Sequence, residues 1–139
     1  MIATAQPGAE ADFVQDLGAA HVVDYTGDVV AQVRAIAPDG VSAALHLAGD
    51  GAQLADLLAP GGRFASTLGY SPDQLAGRDA TATMVMANPD PSTLDRLAAD
   101  VAEGRLRVPI TRSYALHEVP QALADFAAGT IGKLGVTLP

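Results

Sequence analysis

The sequence predicts an α/β protein, a Rossmann-like three-layer sandwich built on a mostly parallel sheet. Three observations predict it. Apolar runs of strand length alternate with segments whose apolar residues recur at helical spacing. The loops between them are short. One run, "VSAALHLAG" (41–49), is apolar almost throughout, as a strand covered on both faces must be.

Residues 2–5, "IATA", are a short strand that ends at the turn Gln6-Pro7-Gly8. Residues 9–17 carry Phe13, Val14 and Leu17 at helical spacing, with Gly18 placed to close the helix. "HVVDY" (21–25) is the next strand. Thr26 is the expected cap of a helix whose stripe is Val29, Val33 and Ile36 and which Pro38-Asp39-Gly40 stops. The strand 41–49 follows, then a helix over 51–58 with Leu54, Leu57 and Leu58 on one side. "APGG" (59–62) reads as a turn into the strand "RFASTLG", residues 70–78 as a polar loop, and "ATATMVMA" (80–87) as a further strand. Ser92 is the expected cap of a helix with Leu94, Leu97, Ala98 and Val101 on its buried stripe and Gly104 after its end. The tail repeats the pattern: strand 106–111, helix 118–128 with Val119, Leu123 and Phe126, strand 134–138.

A length of 139 residues fits one domain, so residues 1–139 are taken together, with 105–139 as a strand–helix–strand tail. An apolar content of 49% argues for a packed core and against disorder. A net charge of −8 argues against nucleic acid, because phosphate binding needs clustered Lys and Arg. The absence of cysteine excludes disulfides and thiolate metal sites and leaves His21, His46 and His117 as scattered soft ligands. No apolar run approaches the length of a bilayer span and no basic-then-apolar leader precedes "IATA", so no membrane role and a cytoplasmic location are expected.

"ATAQPGAEADFVQDLGAAHVVDY", "LHLAGDGAQLADLLAPGGRFASTLG" and the closing "EVPQALADFAAGTIGKLGVTLP" fall in one order and spacing across the whole chain. Together they resemble the C-terminal, cofactor-domain part of the medium-chain dehydrogenase/reductase superfamily, in its zinc-independent quinone oxidoreductase-like, zinc-binding-dehydrogenase-like branch. The resemblance implies an NADP- or NAD-binding Rossmann domain and hydride transfer to a quinone, an enone or a similar acceptor. It also implies that this chain is truncated at its N-terminus, without the catalytic domain and without the first strand and glycine-rich turn that hold the pyrophosphate. In the strand order 3-2-1-4-5-6 that first strand is central. Its loss is expected to be made good by pairing strand 2–5 directly with strand 41–48, or by another chain. The tail strands are expected to pair with each other or across a dimer. A homodimer through "ATATMVMA" or "LGVTL", or a companion chain, follows from the same exposed edges.

The resemblance places Thr4, Ala5 and Gln6 where such enzymes choose between cofactors. A carboxylate, Glu10, stands where NADP-using relatives carry a phosphate-gripping lysine, while Tyr25 keeps a position bordering the adenine ribose. Leu47, Ala48, Gly49, Leu68, Gly69 and Tyr70, in loops at the carboxyl ends of two strands, would edge the adenosine and nicotinamide; Gly49 and Gly69 serve turn geometry equally well. Lys133 matches the family's terminal Gly-Lys near the cofactor cleft, or is a surface lysine. His46 replaces the usual aspartate; it is either a hydrogen-bonded core residue or an acid/base that needs Ser66 or Thr67 beside it. No metal constellation is visible. Three functions therefore stand: an NAD(P)H-dependent oxidoreductase domain impaired in binding cofactor alone, a small-molecule isomerase or cyclase using His46, and a non-catalytic assembly subunit or remnant.

Overall fold

A computed structural model describes residues 1–139. The elements are β1 (Ile2–Thr4), α1 (Ala9–Asp16), β2 (His21–Val23), α2 (Val29–Ile36), β3 (Val41–His46), α3 (Gly51–Ala55), β4 (Leu58–Ser66), β5 (Ala80–Met84), α4 (Pro91–Ala102), β6 (Ile110–Ala115), α5 (Val119–Ala127) and β7 (Lys133–Thr137). They form two compact units, residues 1–87 and 88–139. Every strand pair is parallel, and the fold is of the expected α/β, Rossmann-like kind.

In the first unit β1 pairs with β2, and β3, β4 and β5 form a separate three-stranded sheet. The expected direct pairing of strand 2–5 with strand 41–48 is not made. The two sheets are joined by side chains instead. Val33 of α2 packs with Val23 and Leu57, and Ile2, Val29, Val30, Val41 and Leu54 close around them. Arg34 adds a polar tie from α2, donating to the carbonyls of Asp56 at 2.7 Å and Pro38 at 3.1 Å. A second cluster, Ala55, Phe64, Tyr70 and Leu75, fills the space under β3–β5.

Several boundaries differ from the sequence reading, each for a local reason. Asp28, not Thr26, caps α2 by accepting from the N–H of Ala31 at 2.9 Å, while Thr26 is held by Asp24. Asp90, not Ser92, caps α4, because Pro91 takes the first helical position, where its missing N–H is no loss. "APGG" is no turn: it is a bulge inside β4, where two steps along β3 (Val41 to Ala43) match five along β4 (Leu58 to Arg63). Gly62 is required there, since a Cβ would lie 2.7 Å from the carbonyl oxygen of Ala59.

In the second unit β6 and β7 pair with each other through α5, one of the two arrangements expected of the tail. The strand lies at 110–115 and not 106–111, starting just after Pro109, which has no N–H for a ladder. Buried Tyr114 donates its hydroxyl proton to Asp125, which also receives Arg112 and, at 2.8 Å, the side-chain amide of Gln121. Those hydrogen bonds hold the Asp125 carboxyl below its ordinary range, that from Tyr114 most of all.

Candidate functional site

The carboxyl ends of β3 and β4 come together around one buried pair. His46 ends β3 and Ser66 ends β4; they are register partners, 4% and 0% exposed. Ser66 Oγ accepts the backbone N–H groups of Leu68 at 3.0 Å and Tyr70 at 3.3 Å. With both lone pairs engaged, the hydroxyl proton is left to donate to His46 Nδ1, 3.0 Å away. The ring proton therefore sits on Nε2 and is donated to the carbonyl of Gly49 at 3.2 Å. The chain runs one way, Ser66 to His46 to Gly49, and leaves no buried side-chain polar atom without a partner.

Aromatic packing locks the pair. The His46 ring lies 5.7 Å from that of Phe64 and meets Tyr70 nearly edge-on, at 6.2 Å and 87°. Phe64 and Tyr70 are 4.8 Å apart. Gly51 opens α3 against this cluster, where a Cβ would stand 2.6 Å from Tyr70 Cδ2 and 3.0 Å from His46 Cε1. The loops 47–50 and 68–70 are thus braced to a common strut. The proposed polar partner of His46 is present, in Ser66; both ring nitrogens are occupied and the ring is closed off from solvent.

On the rim of these loops Leu47 and Leu68 are more than half exposed, and Ala48, Gly49 and Gly69 are exposed as well. Gly49 and Gly69 both adopt φ +80°, with open space where a side chain would begin. Their turn geometry and an open approach to the backbone hold at once. Tyr70 is placed differently from these: its ring is in the core, and its hydroxyl donates to the Gln74 carbonyl at 3.3 Å.

At the end of β1, Thr4 is exposed and Ala5 is buried, its N–H bonded to the Val23 carbonyl. Glu10 turns back to accept the N–H of Gln6 at 2.8 Å. Tyr25 is half-exposed; partial burial first, and then the charge and hydrogen bond of Glu10, raise its phenol above the ordinary range. Asp24 beside it is held low, mainly by the Thr26 hydroxyl. This corner is acidic, and the sequence has no Lys or Arg before Arg34. Lys133 lies in the second unit, as the exposed first residue of β7, paired with Ile110.

Residues 17–134 match the profile of the zinc-binding dehydrogenase family. The chain belongs to that family. Among solved structures, the quinone oxidoreductase from Coxiella burnetii superposes with a TM-score of 0.83 at 24% identity, over 99% of this chain and 44% of that one. AibC gives 0.80 at 23% identity, over 99% and 45%. A probable oxidoreductase from Mycobacterium abscessus gives 0.70 at 28% identity, over 98% and 45%. This zinc-binding dehydrogenase chain therefore spans less than half the length of the structures it matches. No relative matches it among curated proteins. The zinc of the family's name does not fit these residues: cysteine is absent and no three His, Asp or Glu side chains gather to hold a metal. No helix is long and apolar enough to cross a membrane.

Gly51 and Phe64 belong to the site and escaped the sequence reading. The "GDG" at 49–51 was the available signal, two glycines flanking a helix-capping aspartate; Asp50 does cap α3, accepting from the N–H of Ala52 at 2.8 Å.

Proposed function

We propose that this chain supplies the nicotinamide-cofactor side of an oxidoreductase that reduces a quinone, an enone or a similar acceptor, and that it favours NADH over NADPH. The observation that carries the reading is the pair of braced loops at the carboxyl ends of β3 and β4, in a chain of the zinc-binding dehydrogenase family. Ligands of open α/β sheets lie at that edge. Leu47, Ala48, Gly49, Leu68 and Gly69 would border the nicotinamide end, and Thr4, Ala5 and Tyr25 the adenosine end. A bound cofactor would supply the hydride, two electrons with one proton, and the second proton that completes the reduced acceptor would come from solvent. The chain's own contribution is to hold the rim still: Ser66 and His46 fix both loops and take no proton from the substrate.

The preference for NADH rests on Glu10, whose carboxylate would repel a 2′-phosphate, in a corner without a nearby basic residue in sequence. No "GxGxxG" turn is present to cradle the pyrophosphate, so binding by these residues alone is weak, roughly millimolar or about −4 kcal/mol. Chemical-shift titration of the labelled chain tests this. NADH is expected to move amides at 4–6, 25, 47–49 and 68–69, and Glu10→Lys to shift the preference toward NADPH. Micromolar binding of NADPH by the unaltered chain would refute the reading. The unpaired strand edges favour a second reading, an assembly subunit that works only with a further polypeptide.

A further inference from the structure

We propose that His46 is a proton-operated latch: neutral, it holds the 68–70 loop shut, and charged, it releases that loop while keeping its hold on Gly49. The closed arrangement has no spare capacity. A hydroxyl offers two lone pairs and one proton, and Ser66 Oγ already accepts from the N–H groups of Leu68 and Tyr70. Its proton goes to His46 Nδ1, 3.0 Å away, and the ring's own proton goes to the Gly49 carbonyl.

An imidazolium has two donors and no acceptor. A proton added at Nδ1 would meet the hydroxyl proton of Ser66 head-on. For Oγ to receive it, Oγ must give up one of its two backbone N–H groups and turn its own proton elsewhere. The two side chains are buried, and the rings of Phe64 and Tyr70 and the backbone of Gly51 surround the imidazole, so water is not at hand to replace what is lost. Nε2 is a donor in both forms, and its bond to Gly49 survives. The release is therefore one-sided.

The titratable groups on the elements around the ring are few. β3 carries none besides His46, and Arg63 of β4 alternates to the face opposite Phe64 and Ser66. Tyr70 turns its hydroxyl to the Gln74 carbonyl, and Asp73, in the turn 72–75, is exposed. At the start of α3 the exposed Asp50 gives its carboxylate to the N–H of Ala52. A buried charge without a partner is costly, so the open loop takes up the proton more readily than the closed one. Closure is then favoured as pH rises and lost as pH falls. Because 68–70 is part of the rim assigned above to the nicotinamide end, acid would loosen that rim; this consequence rests on the cofactor reading, and the latch itself does not.

The test is amide hydrogen exchange of the labelled chain, without cofactor, from about pH 8 to about pH 5, the range in which imidazoles charge. Rates are corrected for intrinsic exchange. Protection of the Tyr70 N–H should be level at the alkaline end and fall about tenfold per pH unit below about pH 6.5, where an imidazole in water charges. The N–H groups of Thr67 and Val85, bonded to the carbonyls of His46 and Ser66, belong to the backbone ladder and should hold. His46→Asn keeps an acceptor toward Ser66 that cannot charge, and should make the Tyr70 profile level. His21→Gln and His117→Gln, both at exposed positions, should leave the fall unchanged. Ring-nitrogen chemical shifts of His46 give a second reading in the unaltered chain, and should show the imidazolium only as the Tyr70 N–H loses protection. Four results would each overturn the proposal: Tyr70 protection that does not change with pH, a fall that persists in His46→Asn, a loss shared equally by Thr67 and Val85, or a charged His46 ring with the Tyr70 N–H protected as before.

Discussion

Removing one oxygen should test the brace between the two loops. Ser66→Ala deletes an atom that accepts two backbone N–H groups and donates to His46 Nδ1. The Leu68 N–H lies near the rim, where water can replace the lost acceptor. The Tyr70 N–H and His46 Nδ1 are buried and stay unpaired. At about 1–3 kcal/mol for each of the two buried groups left without a partner, the expected loss is about 2–6 kcal/mol. Urea unfolding followed by circular dichroism reads it as a lower midpoint at unchanged slope. The second arm is His46→Leu, which should cost about 1–3 kcal/mol, and the double variant should lose less than the sum because the two share a bond. A Ser66→Ala loss under about 1 kcal/mol, or strict additivity with His46→Leu, would refute the account of a coupled strut.

Gly51→Ala should destabilise by about 1–3 kcal/mol through collision with the Tyr70 and His46 rings, and trimming Tyr70 to Leu should relieve part of that loss, whereas Gly49→Ala meets no atoms and should lose only the cost of its left-handed backbone, about 1–2 kcal/mol, with no such relief; strict additivity of Gly51→Ala with Tyr70→Leu in thermal unfolding would contradict this. Asp24, Asp90 and Asp125 titrate below the ordinary aspartate range when folded, so the stability they contribute is complete above about pH 4 and drains away as pH falls through their lower folded values. Asp90→Asn should flatten that acid limb of the urea midpoint plotted against pH. The edge strand β5 and the exposed Val85 and Met86 beyond it should form a dimer burying about 1,500 Å²; a monomer at micromolar concentration in sedimentation would exclude it.

The fold class was legible because its signals are local. The valine stripe of α2 and the apolar run of β3 each announce period and burial without reference to the rest of the chain. What escaped was set by neighbours. "APGG" has turn composition, yet it is drawn into β4 because β3 offers a ladder that a bulge can join. β6 carries Thr111, Arg112 and Ser113, a polar strand in a two-stranded sheet, and so hides behind the more apolar Leu106 and Val108. In the site, a partner for His46 on the adjacent strand could be foreseen from strand order. The bond to Gly49 could not, since it depends on a loop path. Nor could the burial of Tyr70, which follows from Ser66 drawing its backbone N–H inward.

The side-chain cluster that joins the two sheets also carries a torsional duty. Neighbouring strands of one sheet turn by about 20–25° from one to the next. In a continuous sheet the backbone ladder fixes that angle. Here no ladder crosses from β1 to β3, and α2 must set it through Val29, Val30 and Val33, residues whose branched side chains have essentially one rotamer in a helix. Stiff side chains at this joint act as a template for twist, which more flexible leucine or methionine of similar hydrophobicity would hold less firmly.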